Sequence, residues 1–195
     1  MYKNIILASK SPRRRELLAQ IIPETDFIVI GSDISEEIFP GEDAESYSIR
    51  IAEEKAKNII VRHQEMIGNS SVVIGADTVV SLDNEIIRQP KDNADAERIL
   101  KKLSQRCHTV ITGVVIIKEG REIKFAVKSQ VQLKKLSNEM IEDYINSGEP
   151  LGKAGACCIQ GLGKNLVERY EGSFTNIVGL PIEKLQEVLS KICEE

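Results

Sequence analysis

The chain predicts an α/β fold: one domain, residues 1–195, in which a mixed sheet is flanked by helices. Three observations carry that prediction. Apolar runs of strand length alternate along the whole sequence with apolar stripes at three- and four-residue spacing, the period of a helix. The clearest strand pair, Thr109–Ile117 and Ile123–Leu133, is joined through the turn Lys118-Glu119-Gly120-Arg121. No repeat, linker or low-complexity segment divides the 195 residues, a length that buries one full core, or at most two small halves sharing a cleft.

Ile5–Ala8 is a short buried strand, Ser9-Lys10-Ser11 a turn, and the next residues to Leu18 a helix. Ser11 suits its N-cap and Pro12 its first position, where a missing N–H costs nothing. Arg13, Arg14 and Arg15 crowd the first turn against the positive end of the helix dipole, which costs a few tenths to ~1 kcal/mol each at exposed sites. A bound anion reverses that sign, and the planar fork of Arg grips phosphate oxygens two at a time. Arg14 stands where a capping box has Glu, which leaves first-turn N–H groups for a ligand. The stretch is a phosphate cradle or a solvated basic turn.

Phe27–Ile30 is a second strand, leading into the acidic loop GSDISEEIFPGED. Asp33, Glu36 and Glu37 lie near the strand end, whereas Asp43 and Glu45 begin a helix over residues 44–63. Its stripe is Ile51, Ala52, Lys55, Ala56 and Ile59. Lys55 there either snorkels to water or points into a cleft as a phosphate ligand. Residues 71–76, SVVIGA, preceded by Gly68, Asn69 and Ser70, suit a central strand covered on both faces. Asp77 then ends a buried run, where a carboxylate must cap a turn, pair or bind metal.

Val79–Leu82 continues that strand, Asp83-Asn84 turns it, and Glu85–Ile87 returns to Arg88-Gln89-Pro90-Lys91-Asp92. Asn93 caps a helix to Leu103, and Ser137 caps one that stops at Gly148. Alternation at Phe125, Val127, Ser129, Val131 and Leu133 gives one covered and one wetter face. The stretch SGEPLGKAGACCIQGLG allows close backbone approach and forms a second candidate wall of a site. After SFTNIVGLP, Pro181 opens the last helix, whose stripe is Ile182, Leu185, Val188, Leu189 and Ile192.

Composition excludes several function classes. Net charge is −4 and aromatics make up 4% without Trp, so neither the basic surplus nor the stacking rings of a nucleic-acid polymer binder are present. No apolar run approaches the ~20 residues that span a bilayer, and the apolar start is too short for a secretory leader, which points to the cytoplasm and no membrane partner. Cys107, Cys157, Cys158 and Cys193 have no CxxC spacing, and two histidines offer no zinc pattern. They are expected as reduced thiols, with Cys157 and Cys158 as packing residues. Gly152-Lys153 and Gly163-Lys164 lack the Ser/Thr of a P-loop, and Gly161-Leu162-Gly163 does not complete GxGxxG.

Four ordered segments, LASKSPRRRELL, GADTVV, the turn before Asp92, and SGEPLGKAGACCIQGLG with SFTNIVGLP, resemble the Maf-like nucleoside triphosphate pyrophosphatases over nearly the whole chain. The resemblance implies a fold with a central cleft, similar to that of inosine triphosphate pyrophosphatases, and hydrolysis of a nucleoside triphosphate to monophosphate and pyrophosphate. It implies a divalent metal, Mg2+ or Mn2+, and a homodimer as a family-level expectation. Carried over residue by residue, Ser9, Ser11, Arg13 and Arg14 match the phosphate-binding turn and Lys55 the helix lysine. Glu36 matches the acidic-loop glutamate, and Asp77 the general base or metal-linked acid. Two carboxylates suffice for Mg2+, which fills its octahedron with water and phosphate oxygens.

Arg14, Thr78 and Gln160 resemble the subgroup acting on dTTP and UTP. The Gln160 amide offers a donor and an acceptor that match the N3–H and carbonyl edge of uracil and thymine. Three departures stand out. Gln89-Pro90 replaces Lys-Pro, Cys157-Cys158 an aromatic-Gly pair, and Leu151-Gly152-Lys153 a Leu-Asp-Lys. The first touches chemistry, and Lys91, two residues on in an extended segment, is expected to reach the same face as Gln89. It also motivates the competing reading, a non-catalytic nucleotide-binding or division-regulating protein. A phosphatase acting on simple esters is a third.

Overall fold

The computed structural model describes residues 4–68 and 70–194. Asn69, expected in the turn before the third strand, and the side chain of Cys193 lie outside that description. The elements in order are β1 (Ile5–Ala8), α1 (Pro12–Leu18), β2 (Phe27–Ile30), α2 (Ala44–Arg62), β3 (Val72–Leu82), β4 (Glu85–Ile87) and α3 (Asn93–Leu103). Then follow β5 (Cys107–Lys118), β6 (Arg121–Leu133), α4 (Asn138–Asn146), two 3-10 turns at Ala154–Ala156 and Leu162–Leu166, β7 (Val167–Glu171), α5 (Phe174–Val178) and α6 (Ile182–Glu194). Among the described residues no helix is long and apolar enough to cross a membrane.

The strands form one mixed sheet in the order β2-β1-β3-β5-β6-β7, with β4 also on β3. β1 is parallel to β2 and β3, and the other pairings are antiparallel. The predicted strand 71–76 and its continuation are a single strand through Asp77 and Thr78. Two caps shift by one residue from their expected places: Asp92 caps α3, its carboxylate accepting from Asp95 N–H, and the Pro181 carbonyl, just before α6, accepts from Leu185 N–H. Asp is as good a cap as Asn, so composition alone does not separate neighbours.

Where β1 stops decides where the site is. β1 runs beside β3 only as far as Ala8 opposite Gly75, and β4 takes up the same edge from Val80 onward. Between them the sheet has a notch. Successive side chains of a strand point to opposite faces, so Asp77 and Thr78 leave β3 on opposite sides of the sheet and both border that notch. One face is covered by α2, through Ala52, Ala56 and Ile59 against Ile6, Val73 and Val115. The other carries two separate cores. Leu17, Leu18, Leu185 and Leu189 pack on Leu7, Ile74 and Val114. Ile99, Leu100, Leu103 and Tyr144 pack on Val80, Val110 and Val131.

α2 crosses the sheet at very short range. A Cβ on Gly75 would stand 2.0 Å from the Ala52 carbonyl oxygen, and one on Gly113 would stand 2.4 Å from the Ser48 carbonyl carbon. Glycine at both strand positions lets the helix backbone lie on the strands, and Lys55, three residues beyond Ala52 on the same face, is thereby carried to Asp77.

Candidate active site

A cleft of about 540 Å³ opens at the notch, walled by the Ser9–Arg14 turn, the acidic loop, β3, the 152–159 stretch and the end of α5. At its centre the Lys55 ammonium lies 2.6 Å from Asp77 Oδ1 and 2.8 Å from Glu36 Oε1. Arg88 closes the chain on Glu36 Oε2 at 2.9 Å. The Tyr47 hydroxyl, from the first turns of α2, donates to the Glu36 carbonyl at 2.9 Å and holds the acidic loop over the helix. Lys55 is 9% exposed and Asp77 6%, so of its two open readings Lys55 takes the inward one. The ammonium is held by carboxylates rather than by water.

Burial pushes the Asp77 carboxyl above the ordinary range, against the pull of Lys55 and Arg14. Glu36 goes the other way. Burial raises it, but Lys55, by charge and hydrogen bond, and Arg88 together bring it below the usual carboxylate value. Two neighbouring carboxyls thus differ in proton affinity, the arrangement by which one serves as base while the other stays ionised.

At the basic turn, Ser11 occupies the N-cap of α1 without a side-chain cap bond, and its N–H goes to Ser9 Oγ at 3.1 Å. The helix has only seven residues, so charge here comes mainly from side chains. Arg13 lines the cleft, its Nη1 3.6 Å from Cys158 Sγ. Arg14 also lines it but is largely engaged: Nε donates to the Gly179 carbonyl at 2.7 Å, Nη2 to Thr78 Oγ1 at 2.9 Å and Nη1 to Ser9 Oγ at 3.4 Å. It ties the turn to β3 and to the end of α5, so bracing the cleft is part of its work. Thr78 continues that chain to Thr112 Oγ1 at 2.9 Å.

The Gly-rich stretch is a wall of the cleft, as expected. Gly155 N–H donates to the Arg88 carbonyl at 3.2 Å, and a Cβ at Gly155 would lie 2.7 Å from Val80 Cγ2. Glu149 accepts from the N–H groups of Leu162 and Gly163 at 2.9 and 2.8 Å, which folds the stretch back on itself. Cys107, Cys157 and Cys158 are free thiols. Burial pushes Cys157 up to about 12, so it stays protonated as a packing group.

Two expected contacts are not brought into the cleft. Gln160 is exposed, and its neighbour Ile159 lines the cleft instead, with Cys157. Ile159 and Gln160 are the middle of a turn closed by Gly161 N–H on the Cys158 carbonyl at 3.1 Å, which leaves Gln160 on the outside. Lys91 is exposed and lines a separate hollow with Ile38, Asp95 and Arg98, because the chain turns at Pro90 into α3 and Lys91 N–H is held by Asp95. Gln89 borders both spaces. Beyond the residues expected from the sequence, Lys10, Lys153 and His108 also line the cleft, and Arg88 joins it through Glu36. Lys153 was legible as the cation flanked by small residues, whereas His108 sits on an ordinary strand and carries no local signal.

The carboxylates of Glu36 and Asp77 converge on one cationic atom, so two hard oxygen donors already lie within reach of a single cation. That fits Mg2+ or Mn2+, which take one or two carboxylates and complete their shell with water and phosphate oxygens. Among the described residues no group of three or more His, Cys, Asp or Glu side chains is arranged to hold a metal ion.

Residues 4–192 match the family described as Maf-like protein. A dTTP/UTP pyrophosphatase of Clostridioides difficile is 46% identical over 190 residues, covering 96% of this chain and 94% of the relative. One of Thermosipho africanus is 47% identical over 185 residues, covering 95% and 91%. Among solved structures, the Staphylococcus aureus Ham1 protein superposes with a TM-score of 0.55 at 18% identity, covering 97% of this chain and 99% of that one, a likeness of fold.

Proposed function

The chain belongs to the Maf-like protein family, and on that premise we propose that it hydrolyses dTTP and UTP to the monophosphate and pyrophosphate. The observation that carries the reading is the buried Lys55 ammonium between Asp77 and Glu36, in a cleft that the Ser9–Arg14 turn also lines. Charged groups are gathered here at the cost of desolvation, and such clusters are retained where they act on a ligand.

In this reading Arg13, Lys10 and Lys153 meet the negative charge of the triphosphate, and Arg14 with Ser9 and Thr78 keeps the turn in register with β3. Asp77, its proton affinity raised by burial, takes the proton from the water that attacks the α-phosphorus, and pyrophosphate leaves. A divalent cation held by Asp77 and Glu36 would neutralise charge on the phosphates. Lys55 orients both carboxylates and offsets their mutual repulsion. The non-catalytic alternative rested on Gln89, and it is not favoured, since relatives similar over nearly the whole chain are dTTP/UTP pyrophosphatases and Lys153 also lines the cleft.

The test is pyrophosphate release from UTP and dTTP with Mg2+. Asp77→Asn should lower turnover by ~10² to 10⁴, the worth of a positioned base, while circular dichroism stays that of the wild type. In the wild type, kcat/KM should rise with pH through an inflection above the ordinary aspartate value of about 4, because the base acts only when ionised. A wild-type rate in the Asn variant, or a flat acid limb, would remove Asp77 from the mechanism.

A further inference from the structure

The grip on Arg14 starts from residues that do not line the cleft. Its Nε donates to the Gly179 carbonyl at 2.7 Å and its Nη2 to Thr78 Oγ1 at 2.9 Å. Behind Thr78 stands Thr112, opposite it in the register of β3 and β5 and wholly buried. Thr112 Oγ1 lies 2.9 Å from Thr78 Oγ1 and donates to the Asn176 carbonyl, in α5, at 3.0 Å. The Asn176 side chain donates in turn to the Val110 carbonyl at 3.1 Å and to Ser129 Oγ at 2.9 Å. α5 is thereby pinned to β5 and β6 at this residue, and Gly179 follows it at the helix end.

The two ends of this chain fix the direction of every bond in it. A guanidinium can only donate and a peptide carbonyl can only accept, whereas a hydroxyl has one proton to give and two lone pairs to receive with. Thr112 gives its proton to Asn176, so it accepts from Thr78. Thr78, its own proton given to Thr112, accepts from Arg14. The other acceptor within reach of the Thr78 proton is the Gly179 carbonyl, at 3.4 Å, which already takes the Arg14 Nε bond. A Thr78 hydroxyl turned that way would compete at the carbonyl that holds the guanidinium.

We propose that Thr112 is a positioning residue for the Ser9–Arg14 turn. Its hydroxyl takes the Thr78 proton, keeps Thr78 as the acceptor that orients Arg14, and through Arg14 sets where the turn presents its cations to a polyphosphate. This rests on the nucleoside triphosphate reading above and deepens it with a residue that never touches the substrate. The position needs one group that accepts and donates at once. Valine would fill the same space but break the relay, freeing the Thr78 proton to turn on Gly179 and leaving the Asn176 carbonyl without that donor. Serine keeps the relay.

The test compares Thr112→Val and Thr112→Ser with the wild type, at a temperature where circular dichroism shows all three folded. In calorimetric titrations, binding of inorganic tripolyphosphate should weaken about tenfold in Thr112→Val and stay within about twofold in Thr112→Ser. With UTP the same loss should appear in KM, while kcat falls by less. A threonine that only holds the fold would lower the melting temperature of Thr112→Val and leave tripolyphosphate affinity and KM as they are, which overturns the proposal. So does Thr112→Ser binding as weakly as Thr112→Val, since the methyl would then be at work, and so does a wild type that binds no tripolyphosphate. The relay makes one more demand: once Thr78→Val has removed the middle link, adding Thr112→Val should change affinity by less than about twofold, and additive losses would refute it. Should Thr112→Val not fold, Thr112→Cys replaces it, its thiol being a weak donor and weak acceptor, and wild-type affinity there overturns the proposal. If the wild type releases no pyrophosphate from any nucleoside triphosphate, the hydrolase reading fails by itself, and the tripolyphosphate titrations still decide the role of Thr112. If hydrolysis holds and the titrations fail, only this inference falls.

Discussion

The two ends of the cleft spend buried polarity in opposite ways. At one end each charge has a partner: Lys55 bridges Asp77 and Glu36, Arg88 holds Glu36, and Arg14 spreads over Ser9, Thr78 and Gly179. At the other, the His108 imidazole is buried among valines and has no charged partner, only the backbone of Arg106. The difference separates two kinds of functional group. A paired cluster is part of the fold, so its members cannot be removed singly without loss of stability. A buried neutral ring is held by burial, and its removal shows in how stability depends on pH.

The largest expected effect tests the first half of that contrast. Lys55→Ala leaves two carboxylates facing one another without their cation, and breaking such a buried pair costs ~3 to 5 kcal/mol. Urea unfolding at pH 7 should show the loss, and part of it should return in acid as Asp77 takes up a proton. A variant as stable as wild type would mean that the cluster is solvated and that the contrast is false.

The second prediction concerns the other end. The folded-state His108 sits near 4, against ~6.5 in the unfolded chain. Between those values the native state binds fewer protons than the unfolded one, so stability falls as pH drops through the window and levels off below it. The contribution is about 3 kcal/mol. The difference in unfolding free energy between wild type and His108→Leu should change by that amount from pH 7 to pH 4, in the variant's favour. A difference independent of pH would show that the ring titrates normally.

The smallest effect lies at the border. Gln89 stands at the edge of the cleft where the family lysine is expected, and Lys91 has turned away. Restoring the charge with Gln89→Lys should raise kcat about tenfold, or ~1.4 kcal/mol in activation free energy. No change in steady-state pyrophosphate release would show that position 89 does not bear on the phosphates. Charge at the polar end would then be complete without it.

The sequence by itself determined what depends on neighbours in the chain. Periodicity marked the α2 stripe, Lys55 included, and Asp77 stood out as a carboxylate inside an apolar strand. Turn chemistry marked the Asp83-Asn84 hairpin, where both residues take positive φ, and the Ser137 cap, which accepts from Met140 N–H. What only the tertiary structure decided depends on register between distant segments. That Lys55, Asp77 and Glu36 meet follows from glycines that bring α2 onto the strands, and from β1 ending one register step before Asp77's neighbourhood begins. That Ile159 faces the cleft and Gln160 does not follows from an irregular stretch with no period to read. That His108 is buried follows from how β6, β7 and α5 bring Val131, Val167 and Ile177 around it, and no pattern local to β5 records those neighbours.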